Sequence, residues 1–342
     1  MTFPAHDLAG GGTRLRVIPQ LGGKIASMVM AGREWLWKSD VLPYRVPEDG
    51  TSYVRTADTG GYDECFPTVG ACDVPIDVPH WAGLQLPDHG ELWAHCPGID
   101  TGTDGGEWLT AHWTGRRMPY HFTRRVQVGA DGVVRMRYAV RNTGHDHIPF
   151  VWSSHPLLPL TPETRILLPE GARTRVYAEH GIALGGPGAE HRWPLLGAGV
   201  RRIDLSRPDA VAEHYACKLF LDMPEGRAAV EEGDARLEVR FDVAEVPHFG
   251  LWLNRRGWTP FEGGAPYLNL AFEPCIGAPD TLSDALGEWK AAQWLEGGEE
   301  RTWALEWQAT REEGRGKREE VTAFRSAPLP SSLFPRFSCL AS

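Results

Sequence analysis

The sequence predicts an all-β protein: a large antiparallel β-sandwich with few short helices. Three observations predict it. Apolar side chains alternate with period two in several separate runs. The 39 Gly and 27 Pro are spread along the chain and punctuate it too often for long helices. Loops such as GADG (129–132) and NTGHDH (142–147) separate the runs, which suits antiparallel hairpins.

The clearest run is Arg236 to Val243. Leu237, Val239, Phe241 and Val243 point one way, and Arg236, Glu238, Arg240 and Asp242 the other. That is the pattern of a half-buried strand. Arg135 to Arg141 repeats it with Met136, Tyr138 and Val140 inward. Thr302 to Trp307 does so with Trp303, Leu305 and Trp307, and Phe122 to Val128 follows more weakly. Only Leu282 to Leu295 has helical character, over a short span. No repeat with a period of 20–50 residues is present. The pattern places one sandwich domain over residues 1–309. Residues 310–342 change character: REEGRGKREE is a mixed charge run, and SAPLPSSLFPRF is rich in Ser and Pro. They read as a poorly ordered tail.

The 342 residues carry a net charge of −10 and no Lys/Arg-rich run of useful length, which argues against a nucleic-acid partner. No apolar run approaches the ~18 residues of a membrane span. The N-terminus lacks a charged region followed by an apolar one, and six scattered Cys form no CxxC. Together these suggest reduced thiols in a cytoplasmic protein. Oligomeric state is not legible.

Candidate site residues fall in five stretches. In YLNLAFEPCIGAPDTLSD (267–284) an apolar strand reaches Glu273 and is expected to break there, because Pro274, Gly277 and Pro279 cannot sustain a central strand. A carboxylate at such a place is paired, hydrogen-bonded or used, unless it sits at a solvated strand end. In DTGGYDECFPTVG (58–70), Asp63 and Glu64 are adjacent. Strand alternation allows only one of them into a pocket. LPDHGELW (86–93) gathers His89, Glu91 and Trp93, a mix of switchable, polar and aromatic groups suited to a sugar, or simply a polar turn. The spacing of His89, Glu91 and His95 is not that of a zinc site, and no metal is expected. His155 follows an apolar run and should end a buried strand, as a core histidine or a catalytic one. Trp252 and Asn254 in FGLWLNRRGW (249–258) share a strand face, as sugar contacts or as core.

In order, LGGKI, GGYDECFPTVG, LPDHGELW, VWSSHPLL, GLWLN and NLAFEPCIGAPD resemble the aldose 1-epimerase (galactose mutarotase-like) superfamily over roughly residues 14–309. The resemblance implies a galactose mutarotase-like supersandwich with an open sugar cleft and a mechanism without metal or other cofactor. It implies Glu273 as general base, His155 as general acid and His89 as a substrate contact. Such an enzyme interconverts the α and β anomers of a sugar through the open-chain aldehyde. Departures touch the substrate. Thr59 and Trp93 stand where related hexose-6-phosphate epimerases carry arginines, which argues for an unphosphorylated sugar. Ser154 precedes His155 where the galactose type has Asn. Two other readings use the same scaffold: a non-catalytic carbohydrate-binding protein, and a glycoside hydrolase or lyase with Asp63 or Glu64 opposite Glu273.

Overall fold

The computed structural model describes residues 3–102, 107–197 and 202–312. Those up to Arg311 form one compact unit. The tail expected over 310–342 lies, from residue 313 on, outside the described residues.

Two large antiparallel sheets make up the body. The larger has 13 strands among the described residues. Six of them position the site: β1 (Lys24–Met30), β2 (Tyr62–Cys65), β3 (Trp152–Pro159), β4 (Tyr215–Asp222), β5 (His248–Arg255) and β6 (Leu268–Ile276). Their spatial order is β1-β2-β3-β6-β5-β4, so two strands far apart in the sequence, β3 and β6, pair near the centre of the sheet. The second sheet has eight strands among the described residues. Ala235–Phe241, Glu300–Arg311, Val134–Asn142 and Tyr120–Val128 run side by side in its middle. These are the four strands whose alternation is legible in the sequence. Leu237, Val239, Met136, Tyr138, Val140, Trp303, Leu305 and Trp307 are all buried.

The core lies between the two sheets and is dominated by aromatic rings. Tyr138 stacks on Trp303 with centroids 5.4 Å apart, and Trp152 meets Trp303 at 4.8 Å. Alternation along the larger sheet sends Trp152, Tyr62 and Phe272 into this core. Their neighbours Ser153, Asp63 and Glu273 are thereby turned to the opposite face. That face carries the site.

Two expectations need correction. The strand at Glu273 does not break there. It continues through Pro274 to Ile276 as a central strand. The ladder to β3 explains why this is tolerated. It pairs Trp152 with Ile276 and Ser153 with Cys275, lapses, and resumes with Leu157 and Ala271. Pro156 and Pro274, which have no N–H to give, fall in or beside the lapse. The helix expected over Leu282–Leu295 covers only Leu282–Leu286. Thr281 caps its start by accepting the Asp284 N–H at 3.1 Å. Gly287 closes it, and Gln293–Leu295 becomes a strand against Ile148–Phe150. Among the described residues no helix is long and apolar enough to cross a membrane.

Candidate active site

The lapse in the β3–β6 ladder puts His155 and Glu273 side by side. With Ser153 opposite Cys275 and Leu157 opposite Ala271, the register sets His155 across from Glu273 on the same face. The row extends in both directions. His155 pairs with Asp63 on β2, and Glu273 with Gly250 on β5, which in turn faces Phe220 on β4. His155 Nε2 lies 3.8 Å from Glu273 Oε1.

Glu273 is completely buried. Its closest partner is one the sequence did not flag. Lys218, on β4, places Nζ 2.7 Å from Oε1 and 2.6 Å from Oε2. Lys218 is two strands away and faces Trp252, two residue pairs along from the Glu273 row and so on the same face. Gly250 stands between them. A Cβ built there would come within 2.9 Å of Glu273 Oε2, so the missing side chain leaves room for the carboxylate where it meets the lysine. Ser153 Oγ also donates to Oε2, at 3.2 Å. Asp280, in the turn after β6, holds the other side of the ammonium at 3.1 Å.

The electrostatics follow from burial. Loss of water pushes the Glu273 carboxyl above its usual range, and the Lys218 charge only partly offsets this. For Lys218 burial works against the charge, but Asp280 and Glu273 together hold its pKa above the ordinary lysine value. His155 is held well below the usual histidine value by burial, then by the positive charges of His89, Lys218 and Lys24. Its imidazole is therefore neutral at neutral pH. His89 goes the other way. Burial opposes its charge, but Asp88, whose Oδ1 lies 2.8 Å from Nδ1, raises it. His89 takes a left-handed backbone (φ 61°), and its ring stacks on Tyr53 at 4.0 Å and meets His155 edge-on at 5.0 Å.

These groups line one pocket of about 200 Å³. Its polar wall includes Asp58, His89, His155, Lys218, Glu273 and Asp280, and its apolar wall includes Trp252, Trp258 and Tyr267. Two buried acceptors on the wall, Asp58 Oδ1 and Asn269 Oδ1, have no hydrogen-bond partner. Burial raises the Asp58 carboxyl to about 6. An interior that leaves polar atoms unsatisfied usually has a ligand or solvent to satisfy them.

Of the residues singled out in the sequence, Glu273, His155, His89 and Trp252 come together in this pocket. The others lie around it. Asp63 sits one strand beyond His155, ion-paired to Lys24 and accepting from Tyr53 Oη at 2.6 Å. Glu64 points to the opposite face, into the core between the sheets, where it meets Arg124 at 3.3 Å, Tyr138 at 3.0 Å and Trp152 at 3.1 Å. Glu91 accepts from the Arg117 side chain at 3.0 Å and from Tyr120 Oη at 2.8 Å. Trp93 is buried and donates to the Asp88 carbonyl at 2.8 Å, steadying the loop that carries His89. Asn254 caps the turn after β5, accepting from the Gly257 and Trp258 N–H groups. Among the described residues no three His, Cys, Asp or Glu side chains are grouped to hold a metal ion.

Two antiparallel sheets, an aromatic core between them and an acid/base pocket on the outer face of the larger one define a galactose mutarotase-like fold. Solved structures agree. The Slr1438 protein from Synechocystis sp. PCC 6803 superposes with a TM-score of 0.64 at 16% identity, over 91% of this chain and 97% of that one. The galactose mutarotase related enzyme from Lactobacillus acidophilus gives 0.59 at 13% identity, over 90% and 97%. A galactose mutarotase-like protein from Lactobacillus casei gives 0.58 at 14% identity, over 90% and 100%. No family model matches the chain, and no curated protein matches its sequence.

Proposed function

We propose that this protein is an aldose 1-epimerase-like isomerase acting on an unphosphorylated sugar. The observation that carries the reading is the Glu273 carboxylate facing His155 at 3.8 Å in a pocket with an aromatic wall. Glu273 takes the proton from the anomeric hydroxyl while a donor across the pocket, the role the sequence resemblance gives His155, protonates the ring oxygen. The ring opens, the C1–C2 bond turns, and the sugar closes on its other face. Positioned proton transfers of this kind contribute on the order of 10²–10⁴-fold each.

The pocket wall also suits the substrate class. Trp252, Trp258 and Tyr267 offer flat apolar surface for sugar C–H groups. Asp58 Oδ1 and Asn269 Oδ1 are acceptors that sugar hydroxyls can satisfy. The acids Asp58, Asp88, Glu273 and Asp280 outnumber the basic groups Lys218 and His89, so a phosphate or carboxylate on the sugar is disfavoured. The two carboxylates the sequence offered for a hydrolase, Asp63 and Glu64, do not line the pocket.

The test is two-dimensional exchange NMR on free aldoses, their 6-phosphates and uronic acids, with and without protein. Accelerated α/β exchange for a neutral aldose, and none for its 6-phosphate or uronic acid, is the expected result. Saturable line broadening without acceleration would replace the isomerase with a sugar-binding protein. Gly250→Ala provides a geometric check. Its methyl would press on Glu273 Oε2. A displacement of that kind lowers the exchange rate by roughly 10²-fold, while the thermal midpoint stays close to the parent's.

A further inference from the structure

The mechanism just proposed leaves one charged group without a part. Lys218 touches the base more closely than any other side chain does, and it faces the pocket. Resting on the anomer-exchange reading of this site, we propose that Lys218 is a catalytic residue, the donor of the proton to the ring oxygen, and that Lys218 and Glu273 work as one bifunctional acid–base pair.

Geometry is the first argument. The two oxygens that exchange protons in ring opening, the anomeric hydroxyl and the ring oxygen, are both bonded to C1. An acid and a base that serve them together must be neighbours. Nζ lies within 2.7 Å of both Glu273 oxygens. His155 approaches only one of them, at 3.8 Å.

The second argument is proton inventory. A donor must hold a proton it can lose. His155 is flanked by Lys218, His89 and Lys24, and it is uncharged in their company, so giving up its remaining N–H would leave an imidazolate. Lys218 faces Glu273 and Asp280, and the two acids hold its proton more tightly than an ordinary lysine's; that hold loosens as Glu273 is neutralised by the anomeric proton, so the two transfers go together. His155 then keeps a different task, presenting a neutral ring to orient the sugar.

The step balances. The Glu273 carboxylate takes the anomeric hydroxyl proton, and the freed O–H electron pair becomes the second C1–O bond. The bond from C1 to the ring oxygen breaks with its pair going to oxygen, and that oxygen takes a proton from Lys218. An ion pair has become a carboxylic acid and an amine, with no net charge created. In a pocket where Glu273 is cut off from water, that exchange avoids isolating a charge. Rotation about C1–C2 and the reverse transfers restore the pair. Asp280 lies 3.1 Å from the lysine nitrogen, on the side away from Glu273.

Lys218→Arg is the decisive variant. Arginine keeps the charge and the hydrogen bonds to Glu273, so the carboxylate is not left unpaired, but it does not surrender a proton. Exchange NMR on D-glucose and D-galactose is the assay, with sugar line broadening as the check on folding and binding. The expected result is at least a 100-fold loss for Lys218→Arg, with binding retained. Lys218→Ala should lose as much at every pH from 6 to 9 and regain rate when ethylammonium is added. Lys218→Arg at more than a fifth of the parent rate would overturn the proposal. So would recovery of Lys218→Ala at alkaline pH without ethylammonium, which would mean that the lysine only keeps Glu273 ionised. A parent protein that accelerates no free aldose overturns the isomerase reading itself, and this proposal with it.

Discussion

Glu273→Gln abolishes measurable anomer exchange, lowering the rate by at least ~100-fold, while leaving the fold intact. The amide keeps the shape of the carboxylate and can still accept from Ser153 and Lys218, which now touch both carboxylate oxygens. What it loses is the ability to take a proton. The substitution also leaves the buried Lys218 ammonium with Asp280 as its remaining acid, so the melting temperature should fall even though the fold is kept. Exchange NMR on the aldose that the parent turns over measures the first effect, and calorimetry the second. A fully active Glu273→Gln protein would end the assignment. The parent's pH profile offers an independent reading. The base must be ionised, and burial raises its pKa above the ordinary 4.5. Activity therefore climbs with pH through a midpoint above that value, and Ser153→Ala, which removes one hydrogen bond to the charged form, moves the midpoint higher.

The second sheet was legible because its strands are amphipathic in the simplest way. Arg236 to Val243 alternates charge and hydrocarbon residue by residue, and only one pleated placement buries all of the hydrocarbon. Glu273 was legible for the complementary reason, as a carboxylate set in an apolar strand. The same logic applied to YACKLFLD (215–222) would have singled out Lys218, a lone cation in a buried strand that has to find an acid. What no local pattern supplies is the partner. Lys218 and Glu273 are 55 positions apart and meet because β5 lies between their strands with glycine opposite Glu273. Asp58 escaped notice as one acid among many in a loop, and Asn254 looked like a sugar contact because a turn-capping amide and a ligand-binding amide have the same spelling. Pro274 misled for a physical reason. Proline is excluded from central strands because it breaks the ladder, and here the ladder is already broken where the site needs His155 and Glu273 free of it.

Arg124→Met is the largest stability loss expected outside the pocket, and its size depends on pH. Glu64 and Arg124 bridge the two sheets inside the aromatic core, each with a side chain only 1% exposed. Burial pushes the Glu64 carboxyl up to about 7 even with Arg124, Tyr138 and Trp152 hydrogen-bonded to it. A carboxyl whose folded pKa exceeds its unfolded one binds its proton more tightly when folded. Its contribution to stability is therefore complete below the unfolded value of 4.5 and is lost as pH rises through about 7. Removing the arginine takes away the cation that makes the ionised form tolerable. At pH 8 the variant should lose about 3–5 kcal/mol, the usual cost of stranding one member of a buried pair. At pH 5 the carboxyl can stay protonated, and the loss should be markedly smaller. The double variant Arg124→Met, Glu64→Gln carries no charge at this site and should regain much of the stability at pH 8, the amide oxygen accepting from Tyr138 or from Trp152, which reach different oxygens of the carboxylate. Urea denaturation of the three proteins at the two pH values separates the contributions. A loss that is the same at pH 5 and pH 8 would mean that arginine packing against Trp113, 5.7 Å from the guanidinium, matters more than the charge it neutralises.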